Sequence, residues 1–269
     1  MNAFSLAGRL VLVTGSDRGI GKAVALAFAA AGARIALHGL ATPEESAAVV
    51  LEMNAAGCAE ARYFTGDLRD PDQVHDLMAR VFSWGDPEVL VNNAGVQRTA
   101  ALADVSAEMW NEVIAVNLSA PFHTMRLALP RMARTGYGRV INIASVHGLV
   151  ASIHKAPYVA SKSGLIGLSR VAALEYAPLG TAAVGGITVN CICPGWVDTA
   201  IIAPQIAERR AALGVSSELA LANMVAEKQP TRRLSAPQEI ARLACWLCAP
   251  EAHNITGTAI PIDGGWTAQ

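Results

Sequence analysis

Seven short apolar runs, at 10–13, 34–37, 61–64, 89–91, 139–143, 188–192 and 259–262, alternate with helical stretches along a chain of 269 residues. Most are apolar at consecutive positions, as strands covered on both faces must be. The helical stretches are 21–30, 43–55, 70–82, 107–133, 158–175 and 237–248. Gly32 follows the first as a stop, and Thr42 and Pro43 open the second as N-cap and first-turn residue. This order predicts one α/β domain over 1–269, a doubly wound, seven-stranded parallel sheet.

Two segments break the alternation. Residues 178–186 hold three glycines and a proline and read as a mobile surface connection. Residues 200–229 are helical and fall between two core elements, directly after Pro194-Gly195. An insertion of that size in that place is expected to be a lid over a site.

Composition excludes several classes. A formal net charge of −1 gives no global attraction for nucleic acid or an anionic membrane. No apolar run reaches the ~18 residues of a membrane span, and 23–33, flanked by Lys22 and Arg34, reads as a buried helix. The start has no basic segment ahead of an apolar one, so a cytoplasmic location is expected. Five cysteines include Cys245-Trp-Leu-Cys248 and Cys191-Ile-Cys193. Four thiolates can bind zinc. These four fall in an apolar helix and along one strand, so small buried side chains and no metal are expected.

Gly15, Gly19 and Gly21 lie in Thr14-Gly-Ser-Asp-Arg-Gly-Ile-Gly21, where strand one turns into helix one. Glycine there allows positive φ and close approach of a pyrophosphate to the helix N-terminus. Small residues in Asn92-Asn93-Ala94-Gly95, ending strand four, leave room for a dinucleotide across the strand ends. Asp67 could accept from an adenine amino group, or be an ordinary turn aspartate. Strand two ends Leu37-His38-Gly39-Leu40, with no carboxylate for the ribose hydroxyls of NAD. Arg18 could pair with the 2′-phosphate of NADP, or be a solvated loop arginine. On the residues alone, NAD and NADP both stay open.

Tyr158 and Lys162 stand one helical turn apart, and Ser145 lies thirteen residues before the tyrosine. An ammonium beside a phenol favours the phenolate, at about 1.36 kcal/mol per unit of pKa lowering. A phenol so tuned can act as general acid or base, and Ser145 can hold a substrate oxygen.

Taken together, the Thr14–Gly21 loop, Asn92–Gly95, Asn117, Ser145, Tyr158-x-x-x-Lys162 and Pro194-Gly195 resemble the short-chain dehydrogenase/reductase family from end to end. The resemblance implies a Rossmann-like fold. Tyr158 would be the acid/base, Lys162 would bind the nicotinamide ribose and lower the tyrosine pKa, Ser145 would orient the carbonyl, and Asn117 would hold a relay water. Gly15, Arg18, Gly19, Ile20 and Gly21 would cradle the cofactor. Asp67, Leu68, Asn93, Ala94 and Gly95 would flank it, and Pro194, Gly195, Val197 and Thr199 would meet the nicotinamide end.

Further segments are similar to the bacterial D-3-hydroxybutyrate dehydrogenases of that family. These are Gln97, Ser145-Val-His147, Lys155, Trp196, Gln205, Glu227-Lys-Gln-Pro230 and Asp263-Gly-Gly-Trp266. The likeness implies NAD as cofactor, a small hydroxy acid as substrate and a homotetramer. Gln97, His147, Lys155 and Gln205 would bind the substrate carboxylate, while Trp196 and Trp266 would enclose its carbon chain. A buried lone carboxylate costs several kcal/mol, so such a pocket must supply a paired charge. Arg18, His38 and the length of 178–186 depart from that group. His38, His123, His154 and His253 read as structural or solvated. The rival readings are an NADPH-linked reductase of 3-oxoacyl thioesters, ketones or sugars, and a non-enzymatic dinucleotide sensor.

Overall fold

The computed structural model describes residues 5–269. Its seven strands are β1 (Leu10–Val13), β2 (Arg34–Gly39), β3 (Glu60–Thr65), β4 (Val89–Asn92), β5 (Tyr137–Ile143), β6 (Gly186–Pro194) and β7 (Ala259–Ile262). They form one sheet in the order β3-β2-β1-β4-β5-β6-β7, with every adjacent pair parallel. The expected sheet is thus present, and β6 runs on through Pro194 because Pro194 pairs with Ile262 of β7.

Consecutive apolar residues serve both faces, since side chains alternate along a strand. Val11 and Val13 of β1 join one core with Val89, Val91, Ile35 and Leu37. Leu10 and Leu12 join the other with Leu90, Val140 and Val189. The first core is covered by α1 (Gly19–Ala30), α2 (Pro43–Ala55) and α9 (Pro237–Trp246), through Phe28, Met53 and Ile240. The second is covered by α3 (Pro71–Trp84), α5 (Ala120–Thr135) and α6 (Ala156–Tyr176), through Met78, Met125 and Ala172. Cys191 and Cys193 lie within β6, buried against Leu165 and Ile166 of α6.

The helix expected over 107–133 is interrupted. α4 (Ala107–Ile114) gives way to a π-helical turn, Ala115–Ser119, before α5. The wide turn carries Asn117, fully buried, which donates to the Val96 carbonyl (2.9 Å) and Ser161 (3.2 Å) and accepts from the Val96 N–H (2.8 Å). Such a bulge re-aims one side chain without ending the helix.

The helical stretch at 200–229 is two helices, α7 (Ala203–Leu213) and α8 (Ser217–Lys228), packed on each other. Gly214 (φ 65°) ends the first in a left-handed cap, and Ser216 caps the second by accepting from the Leu219 N–H. The connection at 178–186 is exposed at 181–184 but tied down at its end. Arg139, wholly buried, donates to the carbonyls of Gly185 and Gly186 (both 2.9 Å) and stacks on Tyr137. The expected surface connection is there, and the anchor at its end lies 46 residues away in sequence.

The strand order reverses at β1, between β2 and β4. The crevice beyond the carboxyl ends of the strands at such a switch point is where open α/β sheets bind ligands.

Candidate active site

A cleft of about 1040 Å³ occupies that place, running from Asp17, Gly39 and Leu40 past Gly95 to Tyr158 and Trp266. The sequence-derived site residues line it, Leu68 and Gln97 included, except Gly21 and Asn117. Asn117 lies beneath it, bonded to Val96.

At the β1 end the glycine loop is fastened to β4. Thr14 Oγ1 accepts from the backbone N–H groups of Asn93 (3.0 Å) and Ala94 (3.1 Å), and the Asn93 amide donates to the carbonyls of Thr14 and Gly15 (both 2.9 Å). A Cβ on Gly15 (φ 63°) would stand 2.9 Å from the Ala94 Cα, and one on Gly21 would overlap the Gly15 carbonyl and the Asn93 amide. Part of the glycine signature therefore serves the packing of the loop itself. At the start of α1 no side chain caps the amides and no acidic residue occupies the first turn. Those free N–H groups and the helix dipole suit a pyrophosphate. Gly21→Ala should weaken dinucleotide binding at least about tenfold by displacing this loop, a loss of about 1.4 kcal/mol or more; calorimetric titration checks it.

Asp67 lies against the cleft but is engaged by Arg69, at 2.9 Å from Nε and 2.5 Å from Nη2. The guanidinium holds the carboxyl below its ordinary range. Arg18 is exposed at the N-cap of α1.

Ser145 follows β5, and its hydroxyl accepts from the His147 N–H at 3.1 Å. Tyr158 and Lys162 project from the first turns of α6. Lys162 Nζ donates to the Ile143 carbonyl at 2.8 Å and stands 5.7 Å from the centre of the Tyr158 ring. Burial pushes the lysine down to about 8 and pushes the Tyr158 phenol above its ordinary value, with the Ser145 hydroxyl opposing. The expected lowering of the phenol by Lys162 is not seen here: desolvation raises it, and the opposing influence is the Ser145 hydroxyl. The ammonium is anchored on the β5 carbonyl rather than on the phenol.

Beyond Tyr158 lies a polar cluster. Lys155 is 7% exposed, and its Nζ lies 3.2 Å from His147 Nε2 and donates to Gln205 Oε1 at 3.0 Å. It also lies 4.9 Å from the centre of the Trp196 ring. All these partners are neutral groups or an aromatic face. Burial lowers Lys155 to about 8; burial and then Lys155 lower His147 to about 4. The imidazole edge meets Tyr158 (centroids 6.0 Å) and Trp266 (5.4 Å), and Trp196 and Trp266 lie 5.4 Å apart. The Trp196 indole N–H is buried with no acceptor among the described residues. The structure thus brings His147, Lys155, Gln205 and the two tryptophans into one wall of the cleft, with Gln97 also on its lining.

A family profile described as enoyl-(acyl carrier protein) reductase matches residues 15–267. The D-beta-hydroxybutyrate dehydrogenase of Rhizobium meliloti (strain 1021) is 42% identical, covering 97% of this chain and 99% of its own. That of Cupriavidus necator H16 is 41% identical, covering 98% and 100%. The solved structure of a 3-oxoacyl (acyl-carrier-protein) reductase from Agrobacterium tumefaciens C58, with NADP bound, superposes with a TM-score of 0.86 at 31% identity, covering 98% and 96%. The chain belongs to the short-chain dehydrogenase/reductase family. This short-chain dehydrogenase/reductase is therefore an oxidoreductase with a Rossmann-like fold that binds a nicotinamide cofactor.

Two residues of the quoted segments, given no role from sequence, support the wall of the dehydrogenase's cleft. Gln229, wholly buried, accepts from the Trp196 backbone N–H and donates to the Arg233 carbonyl (2.7 Å). Asp263 accepts from the Gly265 N–H (3.0 Å) and from Thr267 (2.6 and 2.8 Å), bracketing Trp266. Of the two readings of His38, structural or solvated, the buried ring fits the first. Its Nδ1 accepts from the Gly15 N–H (3.2 Å) and its Nε2 bonds the Gly66 carbonyl (2.9 Å). Those two bonds define a neutral imidazole protonated on Nε2, and burial lowers its pKa.

Proposed function

We propose that this enzyme catalyses the reversible, NAD-linked oxidation of (R)-3-hydroxybutyrate to acetoacetate. One observation carries the choice of substrate. A nearly buried ammonium, Lys155, is held by neutral partners on the wall facing Tyr158. A buried charge of that kind calls for an anion. A short acid fits, because its carboxylate on Lys155, His147, Gln97 and Gln205 leaves C3 to reach Tyr158. Trp196 and Trp266 limit the length of the carbon chain.

The glycine loop, Asn93–Gly95 and the Pro194–Thr199 segment would hold the dinucleotide, which supplies hydride acceptance and donation when bound. Tyr158, as phenolate, takes the hydroxyl proton as the C3–H bond breaks. Ser145 holds the substrate oxygen, and Lys162 stabilises the phenolate by its charge. Asn117 secures the backbone at Val96 and holds a water of the proton path. Clamping the carboxylate orients C3, which is the proximity contribution to rate. The α7–α8 pair, carrying Gln205, closes as a lid over bound acid. In a homotetramer, the exposed Trp110, Phe122, Val171 and Leu174 of α4–α6 would be covered.

The test compares acetoacetate with an acetoacetyl thioester, using NADH and NADPH. Acetoacetate with NADH should be reduced with kcat/KM at least about 100-fold higher, because the thioester leaves the ammonium unpaired. The exposed Arg18 favours the NADPH-linked thioester reductase instead, and faster turnover of the thioester would establish that reading.

A further inference from the structure

The glycine loop is latched to the end of β2 as well as to β4. The Ser16 N–H donates to the His38 carbonyl (2.8 Å), the His38 N–H donates to Ser16 Oγ (2.9 Å), and His38 Nδ1 accepts from Gly15. This latch carries Asp17 across the carboxyl end of β2, onto Gly39. A Cβ on Gly39 would overlap the Asp17 carboxylate, so the strand-two position is a glycine where the loop acid takes its space. The carboxylate is fixed there from β3: the Tyr63 hydroxyl donates to Asp17 Oδ1 at 2.6 Å while accepting from the Ala41 N–H at 3.0 Å. With one hydrogen supplied and the backbone N–H occupying the oxygen, the phenol can only donate to Asp17. The second carboxylate oxygen, Oδ2, lies over Gly39, nearest to where a Cβ would stand there, and Asp17 lines the cleft together with Arg18, Gly39 and Leu40.

We infer that Asp17 is the cofactor-selecting residue, its carboxylate accepting the adenosine ribose hydroxyls and repelling a 2′-phosphate. An acid at the end of strand two does this in dinucleotide-binding sheets; here the glycine loop delivers the acid to the same place. Arg18, exposed on the same lip, is the opposing cation, and Asp17 outweighs it because Tyr63 holds the carboxylate in place. The inference rests on the cleft being a dinucleotide site and deepens it to the choice between the two dinucleotides. Tyr63 is a positioning residue acting through Asp17.

Direct titration of NADH and NADPH, followed by reduced-nicotinamide fluorescence, reads this without turnover. Wild type should bind NADH at least about tenfold more tightly than NADPH, since juxtaposing like charges costs several kcal/mol. Asp17→Asn is isosteric and keeps an acceptor for Tyr63. It should close that gap at least about tenfold, mainly by tightening NADPH. Tyr63→Phe should move the ratio the same way by a smaller factor, and a wild-type ratio in that variant would overturn the positioning role. Equal affinities in wild type, or an unchanged ratio in Asp17→Asn, would overturn the Asp17 assignment while leaving the dinucleotide site intact. Binding of neither dinucleotide would overturn both.

Discussion

Tyr158→Phe should lower kcat at least about 100-fold and leave the dinucleotide Kd within about twofold, because a positioned acid/base contributes roughly 100- to 10,000-fold. The variant removes one oxygen and keeps the ring. The edge contact with His147 and the turn that places Lys162 do not depend on that oxygen. The fold should therefore persist, with near-wild-type melting. The chemistry has no nearby substitute. His147 is held well down, at about 4, and is neutral at working pH, but its Nε2 faces the Lys155 ammonium. Lys162 is turned to the Ile143 carbonyl. Because burial raises the phenol, oxidation of the alcohol needs proton loss from Tyr158 and should quicken as pH rises. Stopped-flow and steady-state rates of the two proteins, with dinucleotide titration beside them, check this. Full activity in the phenylalanine variant would remove Tyr158 from the proton transfer.

What the sequence disclosed was what local geometry demands. Gly15 and Gly21 show in a short motif because their positions exclude a Cβ. The strands show because β1 and β4 are buried on both faces and so are apolar at every residue. Tyr158 and Lys162 show because one turn of helix joins them. The π-helical turn at Asn117 was hidden, since a single inserted residue leaves the apolar pattern of 107–133 nearly unchanged. The Gly214 break was equally unread, though a glycine followed by Ser216 is a cap signal. Tertiary partners were out of reach altogether. Nothing near Asp17 announces Tyr63, 46 residues on, or near Trp196 announces Gln229, 33 residues on. Strand two itself ends without an acid, and the carboxylate at its end arrives from a neighbouring loop.

Lys155→Ala should raise KM for the hydroxy acid about 100-fold with a much smaller change in kcat, since truncating a buried charged partner costs about 2–5 kcal/mol. Its pH signature separates it from Tyr158. With the free enzyme's lysine at about 8, the charged form that holds a carboxylate declines above that pH. KM should then climb toward tenfold per pH unit above about 8. Lys155→Arg, charged at all these pH values, should flatten that limb. The same lysine opposes folding. Its folded value lies below its unfolded one, so between about 8 and 10.5 the unfolded chain binds more protons and stability rises with pH. The cost is fully present below about 8. Lys155→Met, which removes the charge and keeps the volume, should therefore stabilise the enzyme at pH 7 by on the order of 1–3 kcal/mol while abolishing tight acid binding. Added hydroxy acid should raise the melting temperature of wild type and leave that of the methionine variant where it was. A variant with unchanged KM and no gain in melting temperature would show that the ammonium neither meets the substrate nor is strained by burial, and the carboxylate anchor would have to be sought elsewhere on the wall.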